Sequence, residues 1–588
     1  MFKKNPRHVQ PYLISNVNDL PEKQRVRLEK SWSGTFFREF YSRVDEQPFA
    51  ELYVDFPSRP NAPINELVSL EFLKDGHGWT DEEMYEHYLF DLQTRHALGL
   101  DQLGEAHFEL RTVYNFRQRL SQYMQEQGVN LLDQAFEQVT DEQIAAFQLK
   151  TGKQRMDSVM LGSNIRQRGR LQLLVEVMQR VERMLSETDQ TRYAELFGPY
   201  LQGHSGHYIY RLKNEEFPTH LQRIGEQMQR LLAELQPAYG QEPVYQVLVR
   251  VFGEHFQVEE QIVKAIQDKD LSAQSLQSPD DLEATYREKR SQGYQGYSAN
   301  LTETCDPENP FQLITEDCAE GTTFTQTAPN STDDSQLLAE ALPNLKERTD
   351  LKTLYSDGGF GGPQADPVLQ EQKVELVQTA IRGRQPDPAK LHLADFEIKL
   401  NDESGKPLQV TCPHGQHVPA HSTSQKKGFV AHFEQSICST CPFFEKGQCP
   451  AQPGKRDERH HLRFTQAAAQ ASKRRRRSQA YKKAAGNLRS AVEATVRSVK
   501  HPFPAAKLPV RGLFRVACMV IGSAAVTNVR RIQRYQEAKN QQKSTPTTSS
   551  DGQNGASAQE TNTFFVRIWA WCERVVGLPS ITRSILAC

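Results

Sequence analysis

Three carboxylates stand where chemistry could be done. Asp157 lies inside QRMDSVML, between Met156 and the apolar run Val159–Met160–Leu161. An ionised carboxylate among apolar strand residues is costly to bury unless a cation or a metal compensates it. Asp357 closes a second strand-like run, LKTLYSD, and is followed by Gly358–Gly359–Phe360–Gly361–Gly362. Those glycines permit a tight turn and the close approach of another backbone, such as that of DNA. The plainer role for Asp357 is a cap on the next helix. Glu493 sits in AAGNLRSAVEATVRSVKHP, where Arg489, Glu493, Arg497 and Lys500 recur at spacings of four, four and three. That spacing predicts one face of a helix. Leu488, Val492, Val496 and Val499 form a neighbouring apolar stripe able to pack on a sheet, and Pro502 ends the helix. The plainer role for Glu493 is a surface acid with i,i+4 arginine partners, worth about 0.2–0.5 kcal/mol per pair.

A second constellation is sulfur. Cys412, Cys438, Cys441 and Cys449 fall within 38 residues, in TCPHGQH and ICSTCPFFEKGQC. Cys438-x2-Cys441 is a half-site for tetrahedral zinc, which Cys412 and Cys449 can complete. His414 and His417 are rival ligands, and a set of free thiols is the plain alternative. Cys305, Cys318, Cys518, Cys572 and Cys588 are scattered and receive no role.

The elements that must position these groups can be read along the chain. Residues 1–150 look helical. WTDEEMYEHYLFDLQTRHALGL opens with Thr80 and Glu83, a capping-box pair. RTVYNFRQRLSQYMQEQG carries Arg111, Asn115, Arg117 and Arg119, as either a helix-turn-helix reader or an amphipathic helix with a basic face. QRMDSVML reads as a strand and residues 166–268 as a helical region. GYQGYSANLTET and FQLITEDCA read as strands, 333–348 as a helix, and LKTLYSD and VELVQTAI as further apolar strands. A cysteine-bearing insert spans 395–455 and a basic helical region 465–535. From Gln536 to Thr563 the polar composition predicts no fold, and FFVRIWAWCERVV predicts a short terminal helix.

At 588 residues several domains are expected, and the formal net charge of −2 does not by itself announce a polyanion partner. Its distribution does. Lys455–Arg534 holds 20 Lys+Arg against 3 Asp+Glu, an excess of +17 that leaves −19 on the rest of the chain. The run Lys473–Arg477 lies within it. The N-terminal MFKKNPRHVQPYL has no apolar signal core. Leu513–Thr527, broken by Arg515, is too short to span a bilayer and reads as a buried helix.

The order of these features resembles the insertion-sequence DDE transposases of bacteria. Arg489-x3-Glu493-x6-Lys500 is similar to their Y-R-E-K signature, with Gly486 at the tyrosine position. RPNAPINELVSLEFLKDGHGWTDEEMYEHYLFDLQTRHALGL with RTVYNFRQRL resembles their N-terminal domain. EATYREKRSQGYQGYSANL resembles their central strand pair, LYSDGGFGG their second-aspartate turn, and KLPVRGLFRVACMVIGSAAVTNVRR their closing segment. The resemblance covers roughly 30–535. It implies an α/β fold: an RNase-H-like mixed-sheet catalytic domain over 151–535, with a helical insert at 166–268 and a zinc insert at 395–455. A helical DNA-binding domain over 1–150 would precede it, and a low-complexity tail over 536–588 would follow.

The resemblance also implies the chemistry. Asp157, Asp357 and Glu493 would be catalytic and would hold Mg2+ (or Mn2+). Two such ions about 3.5–4 Å apart stabilise the attacking and leaving oxygens of phosphoryl transfer. Arg489, Arg497, Lys500, Arg474, Arg475, Arg476, Arg477 and Arg117 would contact DNA, and Cys412, Cys438, Cys441 and Cys449 would hold structural zinc. The expected partners are element-end and target DNA, bound by a homodimer, in the cytoplasm at the nucleoid and away from membrane. The other readings are a non-catalytic DNA-binding regulator and an RNase-H-like nuclease that cuts without joining.

Overall fold

The computed structural model describes residues 1–544 except 6–14, 55, 57–58, 103, 290, 316–326, 380–386, 402–403, 424–427, 455–456, 485–487 and 504–506. Gly486, Cys318 and the FFVRIWAWCERVV segment therefore lie outside the described residues. Met1–Gln536 pack as one compact unit.

The N-terminal region is helical, with α1 at Ile64–His77, α2 at Asp81–Phe90, α3 at Leu110–Gln127 and α4 at Leu131–Phe147. The capping box forms: the Glu83 N–H donates to Thr80 Oγ1 at 3.1 Å, and the Thr80 N–H donates to Glu83 Oε2 at 2.8 Å. On α3 the stripe Val113, Phe116, Leu120 and Met124 is buried, as a helical period requires.

Strand β1, Lys153–Gly162, follows. A helical region comes next, with α5 at Arg170–Met184, α6 at Phe217–Tyr239 and α7 at Pro243–His255, around its own apolar core of Leu174, Met178, Ile224, Met228 and Leu248. It closes on a hairpin of β2 (Phe256–Glu259) and β3 (Ile262–Ala265). Then come β4 (Thr285–Lys289), β5 (Gln292–Thr304), β6 (Thr327–Pro329), α8 (Asp334–Arg348), β7 (Thr353–Ser356), α9 (Ala365–Glu371) and β8 (Glu375–Gln378). The expected strand FQLITEDCA is not one where it is described. Ile314 makes an isolated bridge to Glu303, and residues 316–319 are outside the description.

The central sheet is mixed, in the order β4-β5-β1-β7-β8, with β6 also on β5. β5 runs antiparallel to β1 and to β6, whereas β7 is parallel to β1 and β8 parallel to β7. Period-two alternation decides which side each β1 residue serves. Met156 joins Leu338, Leu342, Leu345 and Leu354 in the layer under α8. Val159 and Leu161 join the core on the other side, shared with N-terminal Phe36, Phe72, Phe116 and Phe136 and with C-terminal Val499, Val516, Val520 and Val529.

A second sheet holds the cysteine region. β9 (Glu397–Leu400), β10 (Pro407–Thr411), β11 (His417–Ser422), β12 (Gly428–Glu434), β13 (Gln452–Pro453) and β14 (Arg459–Thr465) lie in the order β13-β14-β12-β11-β10-β9. The chain then runs into α10 (Gln466–Ala484), α11 (Val492–Lys500) and α12 (Leu513–Ser544). α12 is longer than the apolar stretch read from sequence, and it carries on past Gln536, where no structure was expected. By length and composition its Leu513–Gln542 portion could cross a membrane, but 78% of its apolar window is buried inside the fold.

Candidate functional site

Because β1 and β7 are parallel, with Arg155 level with Tyr355, an aspartate follows two residues beyond that pair on each side, Asp157 within β1 and Asp357 just past the end of β7. Asp157 and Asp357 thus stand side by side. Both have odd parity with Arg155 and Tyr355, so both belong to the sheet face opposite Met156 and Leu354. Burial pushes the Asp157 carboxyl above its usual range, Arg489 opposes that rise, and the neighbouring Asp357 adds to it. Arg489 Nη2 donates to Asp157 Oδ2 at 3.0 Å, and the Ser158 N–H donates to Oδ1 at 3.0 Å.

Asp357 does not cap a helix. Its Oδ1 accepts the Gly359 N–H at 2.7 Å within the turn, whereas α9 begins later, after Gln364. The glycine run serves an internal approach. A Cβ on Gly361 would stand 2.6 Å from Gln378 Oε1 and 2.8 Å from Arg474 Nε. Beside this turn opens a cavity of about 340 Å³ lined by Gly358, Gln378, Ser472, Arg474 and Arg475.

Glu493 sits on the exposed first turn of α11. α11 begins at Val492, so Arg489 precedes it, in a turn, and does not share its face as the spacing implied. Val492, Thr495 and Val499 form its buried side. No ion pair or hydrogen bond joins Glu493 to the two aspartates among the described residues; the group that reaches Asp157 is Arg489.

What holds α11 against the sheet escaped the sequence reading. Glu303 on β5 is fully buried. Its carboxylate accepts from Arg155 Nε at 2.5 Å, Thr495 Oγ1 at 2.6 Å and Arg531 Nη1 at 2.7 Å. Arg155 also donates to the Leu488 carbonyl at 2.7 Å, and the Leu488 N–H donates to Tyr481 Oη at 2.6 Å. One buried acid therefore fastens β1, β5, α11 and α12. The only sequence signal was a glutamate and an arginine inside apolar strands, visible in retrospect once β1 and β5 are paired.

The expected DNA-contacting bases divide. Arg117 is spent inside the fold, on Glu71 at 2.6 Å and Asp81 at 2.9 Å. Arg474 pairs with the buried Asp366, and Arg477 with Glu375 at 2.9 Å. Arg476 and Arg497 are exposed and Arg475 borders the cavity. Lys500 is half-buried, and burial together with the nearby Lys289 lowers its pKa.

The four cysteines converge. Cys412, Cys438, Cys441 and Cys449 line one cavity of about 20 Å³ with Phe396, His414 and Phe433. The Gln416 N–H donates to Cys412 Sγ at 3.3 Å, and burial raises the pKa of Cys438 and Cys449. His417 is directed elsewhere, its Nδ1 lying 2.8 Å from Thr411 Oγ1. A separate group, His432, Asp457 and His461, has ligand atoms all within 4.8 Å of one another and could chelate a metal.

Residues 411–533 match the family model described as Transposase DDE domain. The matched segment takes in part of the second sheet, all four cysteines, α10, α11 with Glu493, and most of α12. It covers less than half of the chain, and Asp157 and Asp357 precede it, so it shows a family-level relation of this C-terminal region. No curated protein and no solved structure matches the chain.

Proposed function

We propose that the chain is a DDE transposase that cuts DNA at the ends of an insertion sequence and joins those ends to target DNA. The observation carrying this reading is the Asp157–Arg489 ion pair. Arg489 belongs to the matched segment and Asp157 lies outside it, so the pair connects the family match to the two aspartates of the central sheet. The element order supports an RNase-H-like core: a strand with Asp157, antiparallel strands, a helix, a parallel strand followed directly by Asp357 and a late helix with Glu493.

Asp157, Asp357 and Glu493 would hold magnesium. The donor set fits: all are hard carboxylate oxygens, and the negative charge of Asp357 beside the buried Asp157 is one that a divalent cation would neutralise. The bound ion supplies an activated water and stabilises charge on phosphate. Arg489 holds the Asp157 carboxylate in place and presents positive charge beside it. Arg497 and Lys500 extend that charge along α11 toward a phosphate backbone. In the second sheet, four thiols around one small cavity fit zinc, with Cys412, Cys438, Cys441 and Cys449 as its holders and a structural role. The helices of residues 1–150 would read the terminal repeats, with the exposed Arg111 and Arg119 of α3 in place of Arg117.

The deciding experiment uses full-length protein, labelled element-end duplex, a target plasmid and magnesium. Asp157→Asn, Asp357→Asn and Glu493→Gln are each expected to abolish cleavage and joining, with end binding nearly intact. Wild-type-like cleavage by one variant removes that residue from the site. Cleavage without joining by the wild type turns the reading to a nuclease, and binding without cleavage to a regulator.

A further inference from the structure

The second sheet carries a histidine face that the reading above leaves unused. His432 on β12 and His461 on β14 are directly opposite one another in the antiparallel register. Their rings are 4.7 Å apart, edge to face at 85°. His421 on β11 pairs with Val430, so alternation places it on the same face as His432, one step diagonal. Those two rings are 5.7 Å apart. Asp457 folds back onto this face, where its Oδ1 lies 2.8 Å from His461 Nε2. Nδ1 of His432 is buried and has no hydrogen-bond partner.

The backbone leaves room for the convergence at Gly454. A Cβ there would overlap Asp457 Oδ1 and stand 2.7 Å from His461 Nε2. This face is distinct from the cysteine cavity. Phe433, the neighbour of His432, lines that cavity from the other side of β12. The dipeptide His460–His461 divides the same way, His460 lying 4.4 Å from the Phe444 ring on the cysteine side.

We propose that His432, His461 and Asp457 form a second metal site, of nitrogen and oxygen donors, for a divalent transition ion of the zinc, cobalt or nickel type. Two imidazoles and one carboxylate suit these ions, whereas magnesium prefers oxygen alone. Three protein ligands leave a further position, and His421 is the nearest additional imidazole. A bound ion ties β12 and β14 to the Asp457 bend, one strand length before the basic helix α10.

Cobalt(II) separates this site from the cysteines, since thiolate ligation gives intense near-ultraviolet charge-transfer absorption and imidazole–carboxylate ligation does not. Untagged, chelator-stripped full-length protein is titrated with cobalt. The wild type is expected to take up one equivalent without charge-transfer absorption, whatever the cysteines do. His432→Gln, Asp457→Asn and Gly454→Ala should each weaken that equivalent at least tenfold and leave any thiolate absorption unchanged. Asp457 is exposed, outside any helix or strand, and its amide is isosteric, so this variant decides the matter if the others misfold. Cobalt uptake only with thiolate absorption, or uptake by Asp457→Asn equal to wild type, overturns the proposal. In that case His461 and Asp457 are simply a surface ion pair.

Discussion

Asp157 shows what one residue costs the fold. Its carboxyl is raised despite Arg489, so the charged form is disfavoured in the folded chain relative to the unfolded one. The folded state then holds a proton more tightly, and stability falls as pH rises from the ordinary carboxylate range through the raised value. The burden is full above that value and absent below the unfolded pKa. Asp157→Asn should therefore unfold at a higher temperature than wild type at pH 7.5 in chelator, with the gap narrowing at pH 4.5. Equal gaps at both pH values would mean that burial of the charge is not what the folded state pays for. A variant that is more stable but inactive is the outcome expected if this buried carboxylate is kept for the proposed reaction.

Glu303 acts at the scale of elements. Its three partners lie on β1, α11 and α12, and removing one member of a buried ionic network leaves the others uncompensated. Glu303→Ala is expected to lower stability by about 3–5 kcal/mol, read by denaturant unfolding. Because α11 carries Glu493, residual folded protein should also cleave poorly. Thr80→Ala offers the contrast. It removes one helix cap far along the chain from these residues and should cost about 1 kcal/mol without changing cleavage by folded protein. A cleavage defect in Thr80→Ala would mean that the N-terminal helices couple to the site more tightly than their packing implies.

Over the whole molecule, the charge excess matters only where it is free. Arg476 and Arg497 are exposed, so each alanine replacement should flatten the slope of log affinity against log salt by about 0.9 if it contacts duplex phosphate. Arg117→Ala should leave that slope unchanged and lower stability, since its guanidinium serves Glu71 and Asp81. Replacing Arg474 together with its neighbours would confuse the two effects, because Arg474 neutralises buried Asp366. Binding isotherms at several salt concentrations separate these cases. Unchanged slopes for both exposed arginines would leave the basic segment as a solvated surface.

Local rules were enough wherever the physics is local. The Thr80 cap, the strand QRMDSVML and the end of α11 before Pro502 follow from neighbours within a few residues, and the sequence alone determined them. The cysteine spacing suggested zinc ligands, and the fold brings the four thiols to the lining of one small cavity. Partnership was another matter. Arg117 and Arg474 looked like DNA contacts because a sequence displays a charge and hides the acid it will meet. The helical spacing of Arg489 and Glu493 failed since the chain turns before Val492, leaving Arg489 to reach Asp157. Glu303, and the face shared by His432, His461 and Asp457, exist only once β5 lies on β1 and β14 on β12. Strand pairing joins residues far apart in the chain, and no local pattern encodes which distant charge will compensate a buried one.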